Sequence, residues 1–159
     1  MAKIIIIGNG IAGSTAARFI RKNSDHDITM ISGETGFPFS RTALMYVYMG
    51  HMKFENTKLY EDWFWVKNRI NIITKWVQNI DTNTKTVAFY DGSSISYDKL
   101  IIATGSKPNK FGWPGQNLDG VQGLYHLQDL ENMETATQQG IKKAVVVGGG
   151  LIGIEMAEM

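Results

Sequence analysis

The first fifth of the chain alternates short apolar runs with one segment of helical periodicity. Residues 4–7 are four consecutive isoleucines, a pattern typical of a strand buried on both faces. Residues 11–22 place small and apolar side chains at helical spacing and end with basic residues, which suit the negative end of a helix dipole. Residues 27–32 form a second strand-like run. The pattern predicts a strand, a helix and a parallel strand joined by a right-handed crossover.

The middle of the chain has shorter runs separated by turn residues. A helix is predicted from Thr57 to about Asn68, capped by Asn56 or Thr57, and residues 41–49 are a further helical candidate. Residues 70–74 predict a third strand. Three short runs closed by turns then predict an antiparallel meander, and a fully buried strand follows it: residues 76–80, 86–90, 94–97 and 100–105.

The composition changes over residues 106–123, which contain Pro108, Pro114 and several glycines. We therefore predict a first domain over residues 1–110, and over residues 111–159 a linker with the first elements of a second domain. A helix is predicted over residues 129–139, and residues 144–147 predict another buried strand with a helix after it.

A glycine pattern, Gly8-x-Gly10-x-x-Gly13, connects the first strand to the first helix. In dinucleotide-binding proteins the first glycine of this pattern turns the chain, the second lets a pyrophosphate approach the backbone, and the third lets the helix pack closely. The pattern recurs 140 residues later (148 − 8) as Gly148-x-Gly150-x-x-Gly153. The predicted fold class is α/β: a Rossmann-like parallel sheet, a three-stranded antiparallel meander and the start of a second Rossmann-like domain. We expect five residues to hold a pyrophosphate through backbone N–H groups: Gly8, Gly10, Ile11, Ala12 and Gly13.

Composition narrows the possible chemistry. The 159 residues are 43% hydrophobic, carry a net charge of +1 and include no cysteine. Disulfides, thiolate metal sites and a cysteine nucleophile within this chain are thereby excluded, and the charge gives no indication of a nucleic-acid partner. The three histidines lack metal-ligand spacing, and no apolar run approaches the roughly 20 residues that span a bilayer. We expect no metal, no membrane partner and a cytoplasmic location.

Two charged residues are candidates for nucleotide contacts. Glu34 lies 21 residues after Gly13 (34 − 13), where an acidic residue after the second strand commonly binds the adenosine ribose hydroxyls; the alternative is a solvated turn glutamate. Arg41 lies in a segment, residues 36–54, that is rich in aromatic residues and methionine. That segment is either part of the core or the lining of a site for a flat apolar ring. In the second case Arg41 lies near a phosphate or the edge of the ring, and the alternative is a surface arginine.

Four features together resemble the pyridine nucleotide–disulfide oxidoreductase superfamily, whose members are flavoproteins with two dinucleotide-binding domains. They are the first glycine pattern, the stretch from Val87 through Ala103-Thr104-Gly105 to Pro108, the second glycine pattern with Glu155 after it, and their order. Glu34 and residues 38–41 look most like the branch with rubredoxin and ferredoxin reductases and the flavin part of nitrite reductase.

The resemblance implies an NAD(P)H oxidoreductase in which FAD takes a hydride and passes electrons to an acceptor, for which an electron-acceptor protein is one candidate. FAD then occupies the first glycine pattern, and Gly148, Gly150 and Gly153 contact NAD(P)H. The resemblance also implies a main-chain contact of Val77 with adenine, besides its role as core. Ala103, Thr104 and Gly105 would pass near the cofactor, although a strand-end turn explains them equally well. No side chain is required as a general acid or base.

Three departures from the family pattern qualify this interpretation. Residues 39–50 contain no cysteine pair, so dithiol chemistry is not expected, and Met45 and Tyr46 stand where the branch often has a flavin-contacting lysine. The sequence stops at Met159, early in the second nucleotide motif. We therefore expect an N-terminal fragment whose FAD domain lacks its last strand. The 145–147 strand would fill that vacancy, or two chains would exchange elements as a homo-oligomer.

Two other functions stay open from the sequence. One is a non-catalytic module that holds FAD or ADP without turnover. The other is an NAD-dependent dehydrogenase that uses the first glycine pattern, against which the meander and the second glycine pattern both argue.

Overall fold

The computed structural model describes all of residues 1–159 and is a mixed α/β structure. The strands are β1 (Lys3–Ile7), β2 (Asp27–Ser32), β3 (Ile70–Thr74), β4 (Val77–Asp81), β5 (Thr86–Phe89), β6 (Ser94–Ser96) and β7 (Lys99–Ile102). The α-helices are α1 (Ile11–Asn23), α2 (Leu44–Tyr48), α3 (Asp62–Lys67), α4 (Leu127–Gln138) and α5 (Leu151–Glu158). Short 3-10 turns occupy Arg41–Ala43 and Phe54–Thr57.

The chain divides into two compact units. The first unit comprises residues 1–40 and 58–106, and the second comprises residues 41–57 and 107–159. The second unit thus includes residues 41–57, which the sequence interpretation assigned to the first domain. The domain boundary at residue 110 stays a prediction.

The first unit is built on a four-stranded parallel sheet in the order β3-β2-β1-β7. Strand β1 is central: Ile4 to Ile7 pair with residues 28–31 of β2 on one side and 99–102 of β7 on the other. The predicted bounds of the strands at residues 27–32 and 70–74 are confirmed. In a sheet of this order the crevice for ligands lies where the strand order reverses, at the carboxyl ends of β1 and β7.

Alternate residues of β1 enter two separate cores, one on each face of the sheet. Ile4 and Ile6 pack with the helices, in a cluster with Ala17, Ile28, Met30, Trp65 and Ile70. Ile5 and Ile7 pack on the other face with Ile31, Val87, Phe89 and Tyr97. A strand buried on both faces has no solvent-facing position, which explains the unbroken isoleucine run.

The predicted antiparallel meander is confirmed. Strands β4, β5 and β6 form a separate three-stranded sheet in that order. Val87 and Phe89 of β5 are buried and supply most of the meander's contribution to the core beneath β1. The meander therefore covers the face of the parallel sheet opposite to α1.

The helix predicted from Thr57 to Asn68 is only partly correct. Helix α3 begins at Asp62 and ends at Lys67, with Glu61 as its N-cap. The residues before it are held by pairing instead, because Lys58 bridges antiparallel to Phe39 and the Leu59 amide donates to the Pro38 carbonyl at 3.1 Å. This long-range pairing overrides the local helical pattern. The helical candidate over residues 41–49 is confirmed as a 3-10 turn followed by α2.

The buried strand predicted at residues 144–147 is wrong. These residues form no regular element, and Val145 is 89% exposed. The parallel sheet has four strands and none comes from this segment, so the recruitment of residues 145–147 to a vacant strand position is also contradicted. The physical reason is that a strand needs backbone partners, which an apolar sequence alone does not provide. The following helix α5 does form.

Candidate nucleotide-binding site

The first glycine of the motif occupies the junction of three strands. Gly8 has a φ of 108°, a conformation that side chains rarely adopt, and its amide donates to the Ile31 carbonyl at 2.7 Å. A Cβ on Gly8 would lie 2.1 Å from the carbonyl oxygen of Ala103. Glycine is therefore required at this position for two reasons: the turn needs a positive φ, and the segment after β7 approaches too closely to leave room for a side chain.

The other two glycines of the motif have opposite surroundings. A Cβ on Gly13 would lie 1.9 Å from the carbonyl oxygen of Gly8, so the first turn of α1 packs directly against the loop. A Cβ on Gly10 would meet no atom within 4 Å. The loop is thus closed at Gly8 and Gly13 and open at Gly10, where the backbone is accessible to a ligand.

The open position coincides with the amino end of α1. Gly10 is the N-cap of this helix, no side chain caps it, and the first turn contains no acidic residue. The amides of a first helical turn lack intrahelical acceptors, and the helix dipole makes this end favourable for anions. Gly10, Ile11, Ala12 and Gly13 therefore fit a diphosphate, as the motif predicts.

Asn9, which the sequence analysis did not single out, joins the glycine loop to the turn after β2. Its side-chain amide donates to the Thr35 carbonyl at 3.1 Å, and its own carbonyl accepts from the Ser14 hydroxyl at 2.8 Å. Asn9 and Ser14 are both buried. A polar residue inside the glycine pattern was the available signal, since burial there demands hydrogen-bond partners.

Glu34 lies in that neighbouring turn. Its amide donates to the Ser32 hydroxyl at 3.2 Å, and its side chain is half-buried. Thr35, the next residue, is the one that Asn9 contacts. The structure therefore brings the turn that carries Glu34 next to the glycine loop, at the carboxyl end of β2. The ribose-binding role of Glu34 stays a prediction.

The Ala103-Thr104-Gly105 segment also reaches the glycine loop. The Ala103 amide donates to the Ile7 carbonyl at 2.7 Å, and the Ala103 carbonyl adjoins Gly8. The fully buried strand predicted over residues 100–105 is only partly correct, because β7 ends at Ile102, which is 63% exposed, and residues 103–105 follow the strand. Thr104 and Gly105 are exposed, and Gly105 has a φ of 72°.

Val77 and Arg41 have structural contacts beside their predicted roles. Val77 opens β4 opposite Phe89 and packs against the core on the meander side of the sheet. Arg41, in the second unit, donates from Nη1 to the Tyr125 carbonyl and holds its guanidinium 4.6 Å from the centre of the Tyr125 ring. Arg41 is half-buried and held by these contacts, and the cofactor contacts of both residues stay predictions.

The second glycine pattern has the same backbone conformation as the first. Gly148 has a φ of 116°, and a Cβ on Gly153 would lie 1.9 Å from the Gly148 carbonyl oxygen, as in the first loop. Gly150 is the N-cap of α5 and is open in the same way as Gly10. The difference is at Gly148, where a Cβ would meet nothing within 4 Å because no neighbouring segment approaches it.

An ion pair fixes the meander beside this site. The Lys75 ammonium lies 2.7 Å from the Asp91 carboxylate, and the Ser93 hydroxyl donates to the same carboxylate at 2.6 Å. Lys75 first, and Ser93 after it, hold the pKa of Asp91 well below its usual range. No three His, Asp or Glu side chains are grouped to hold a metal ion, and the helices are all too short or too polar to cross a membrane.

Comparison with known proteins assigns the family. The model of the pyridine nucleotide-disulphide oxidoreductase family matches residues 2–159. A probable ferredoxin reductase, CtmF of Castellaniella defragrans, is 35% identical over 158 residues, which are 98% of this chain and 38% of that protein. The NAD(P)H nitrite reductase of Bacillus subtilis is 35% identical over 159 residues, covering 98% of this chain and 20% of that protein.

A solved structure agrees with the sequence comparison. The crystal structure of NADH:rubredoxin oxidoreductase from Clostridium acetobutylicum matches with a TM-score of 0.85 and 35% identity, over 99% of this chain and 41% of that one. The chain therefore spans about two fifths of the length of these ferredoxin and rubredoxin relatives, or 38% and 41%. Members of the matched family depend in general on FAD and NAD(P)H. Because the family model covers almost every residue, the chain belongs to the pyridine nucleotide-disulphide oxidoreductases.

Proposed function

We propose that this chain binds FAD at its first glycine loop and belongs to an NAD(P)H oxidoreductase that passes electrons through the flavin to an acceptor. The observation that carries the proposal is the contrast within the loop: Gly8 and Gly13 are packed against backbone, while Gly10 is open at an uncapped helix end. Gly10 has a φ of −66° and no neighbouring atom that excludes a side chain, so neither the turn nor the packing requires glycine there.

The residues around the loop divide the work of binding. Backbone amides at the start of α1 hold the diphosphate, and Glu34 accepts hydrogen bonds from the adenosine ribose. Ala103, Thr104 and Gly105 flank the diphosphate, and Val77 contributes main-chain atoms on the adenine side. Asn9 acts indirectly, because its bond to Thr35 holds the Glu34 turn against the loop.

FAD, when bound, supplies the redox chemistry that connects NAD(P)H to the acceptor. The chain's own contribution is to position the cofactor and exclude competing contacts, so we assign no general acid or base. Arg41 contacts a phosphate or the flavin edge in this proposal, oriented by its bonds to Tyr125. We propose a protein as the electron acceptor, because two of the relatives are named as reductases of ferredoxin and rubredoxin.

The second glycine loop is proposed to contact NAD(P)H through Gly148, Gly150 and Gly153. Its conformation supports this, since it repeats that of the first loop. The FAD-binding domain then covers residues 1–110, and residues 111–159 begin the NAD(P)H-binding domain. We place the whole protein in the cytoplasm, where reduced pyridine nucleotide is available.

One observation favours a second candidate function for the chain by itself. Residues 144–147, which precede the second loop, are exposed and form no strand. The loop proposed for NAD(P)H therefore lacks a supporting sheet. The chain then acts as an FAD- or ADP-binding module without turnover.

A flavin titration tests the proposal. The purified chain is titrated with FAD while flavin fluorescence and visible absorbance are recorded, and NADH is then added without oxygen. We expect saturable binding of FAD. Bleaching by NADH supports the oxidoreductase, binding without bleaching supports the module, and absence of any FAD or ADP binding by calorimetry overturns the nucleotide-binding proposal.

A further inference from the structure

Trp76 packs on the backbone at the end of β2. A Cβ built on Gly33 would lie 2.2 Å from Cδ2 of the Trp76 indole and 2.5 Å from both Cε2 and Cε3. Because Cδ2 is the nearest atom and its two neighbours in the six-membered ring are slightly and equally farther away, Gly33 lies against the face of the ring and not at its edge. One face of the indole is therefore covered by Gly33, and only glycine permits this contact.

Two backbone hydrogen bonds hold the chain at Trp76. The amide of Lys75 donates to the Ser32 carbonyl at 2.9 Å, and the Trp76 carbonyl accepts from the Tyr90 amide at 3.2 Å. The indole is thus held between the end of β2 and the end of β5. Trp76 is nevertheless 55% exposed, so much of this fixed aromatic surface is open to solvent.

The position of Trp76 relates it to the nucleotide. Gly33, on which the indole rests, directly precedes Glu34, and Trp76 directly precedes Val77. In this fold the acidic residue after the second strand binds the adenosine ribose, and the base is attached to that ribose. A half-exposed aromatic ring that packs on the residue next to the ribose-binding position suits a flat purine.

We propose that Trp76 contacts the adenine ring of the bound dinucleotide and raises its affinity. This inference rests on the proposed function, because it assumes that Glu34 marks the ribose. It goes beyond the proposed function by assigning part of the affinity for adenine to the side chain of Trp76, whose exposure is not explained by packing. The contact between Gly33 and the ring holds the indole in place before the ligand binds.

ADP is the probe, because it carries the adenosine without the flavin. Wild type, W76F, W76A and W63F are compared by calorimetry and by tryptophan fluorescence, with melting temperature as the check on folding. Trp63 is the matched control: it lies on α3 and is 59% exposed. Alanine substitution of an aromatic residue that stacks on a base weakens binding, so W76A should bind ADP roughly tenfold more weakly, about 1.4 kcal/mol.

The fluorescence arm separates contact from a structural role. ADP should quench tryptophan emission in wild type and W63F, whereas W76F should still bind ADP by calorimetry with most of that quenching lost. If wild type binds ADP while W76A binds equally well and W76F keeps the full quenching, the inference about Trp76 is overturned and the site stands. If wild type binds no ADP, the proposed function itself fails. Should W76A not fold, the W76F quenching result decides.

Discussion

Gly10 and Gly13 are three residues apart in one motif, yet the structure gives a methyl group opposite consequences at the two positions. Gly10 has a φ of −66° and open space where a Cβ would be, so alanine fits there without strain. At Gly13 the Cβ would meet backbone that cannot move aside. The two substitutions therefore separate binding from folding.

Gly10→Ala should abolish most nucleotide binding while leaving the fold intact. The added methyl group occupies the space proposed for the diphosphate, so ADP affinity should fall at least tenfold, about 1.4 kcal/mol. Alanine is a poorer N-cap residue than glycine, so the free energy of unfolding should fall, but by about 1 kcal/mol at most. Calorimetry with ADP and a urea unfolding curve measure the two quantities.

Gly13→Ala is the contrasting variant. Overpacking of a well-packed site typically costs about 1–3 kcal/mol, and here the clash is with the Gly8 carbonyl oxygen. Its unfolding midpoint in urea should drop clearly below that of Gly10→Ala. Equal midpoints, or a larger loss for Gly10→Ala, would contradict the assignment of open and closed positions.

Glu34→Gln should remove the preference of the site for the ribose hydroxyls. Hydrogen bonds to charged groups contribute about 1.5–3 kcal/mol, so ADP affinity should fall roughly tenfold or more. Wild type should bind ADP more tightly than 2′-deoxy-ADP, and the variant should bind both with similar affinity. A variant that keeps the wild-type preference would show that Glu34 is the solvated turn glutamate.

The two most buried strands of the parallel sheet, β1 and β2, were predictable because their apolar sequences reflect their burial. The isoleucines at residues 4–7 face two cores, and their pattern leaves no helical alternative. Two other segments show the limit of this reasoning. Residues 58–59 lie in a segment with a helical pattern but pair with residues 38–39, and residues 144–147 follow a strand pattern but find no partner. In both segments, the presence or absence of a backbone partner distant in sequence decides the secondary structure.

The meander should show acid sensitivity that depends on Asp91. Its pKa is lowered in the folded protein, chiefly by Lys75 and also by Ser93, so its carboxylate stabilises the fold at every pH above its unfolded pKa of about 3.9. That contribution is lost as the pH falls through the lower, folded pKa. Asp91→Asn should therefore be less stable than wild type at pH 7, and the difference should shrink below about pH 4.

Urea unfolding of both proteins from pH 7 to pH 3 measures this difference. Asp119→Asn is the comparison, because this aspartate is exposed and lies outside the meander. A difference between wild type and Asp91→Asn that stays constant over the whole range would contradict the role of the ion pair.

At the scale of the whole molecule, the sequence located the parts of the site but not their connections. The glycine motif, Glu34 and residues 103–105 were identified as separate segments, and the structure brings all of them to the carboxyl ends of β1, β2 and β7. The bond from Asn9 to Thr35 and the packing of Trp76 on Gly33 had no sequence signal of comparable strength. Both depend on which strands are neighbours, and local patterns do not encode that order.

The two glycine loops allow the division of labour to be tested by one more substitution. Gly150 is open in the same way as Gly10, so Gly150→Ala should also fold normally. If FAD occupies only the first loop, Gly150→Ala should change FAD affinity less than twofold, whereas Gly10→Ala should lower it at least tenfold, about 1.4 kcal/mol. Flavin fluorescence titrations of the two variants provide the comparison. Equal losses of FAD affinity would mean that both loops contact one nucleotide, and the assignment of separate FAD and NAD(P)H loops would then be wrong.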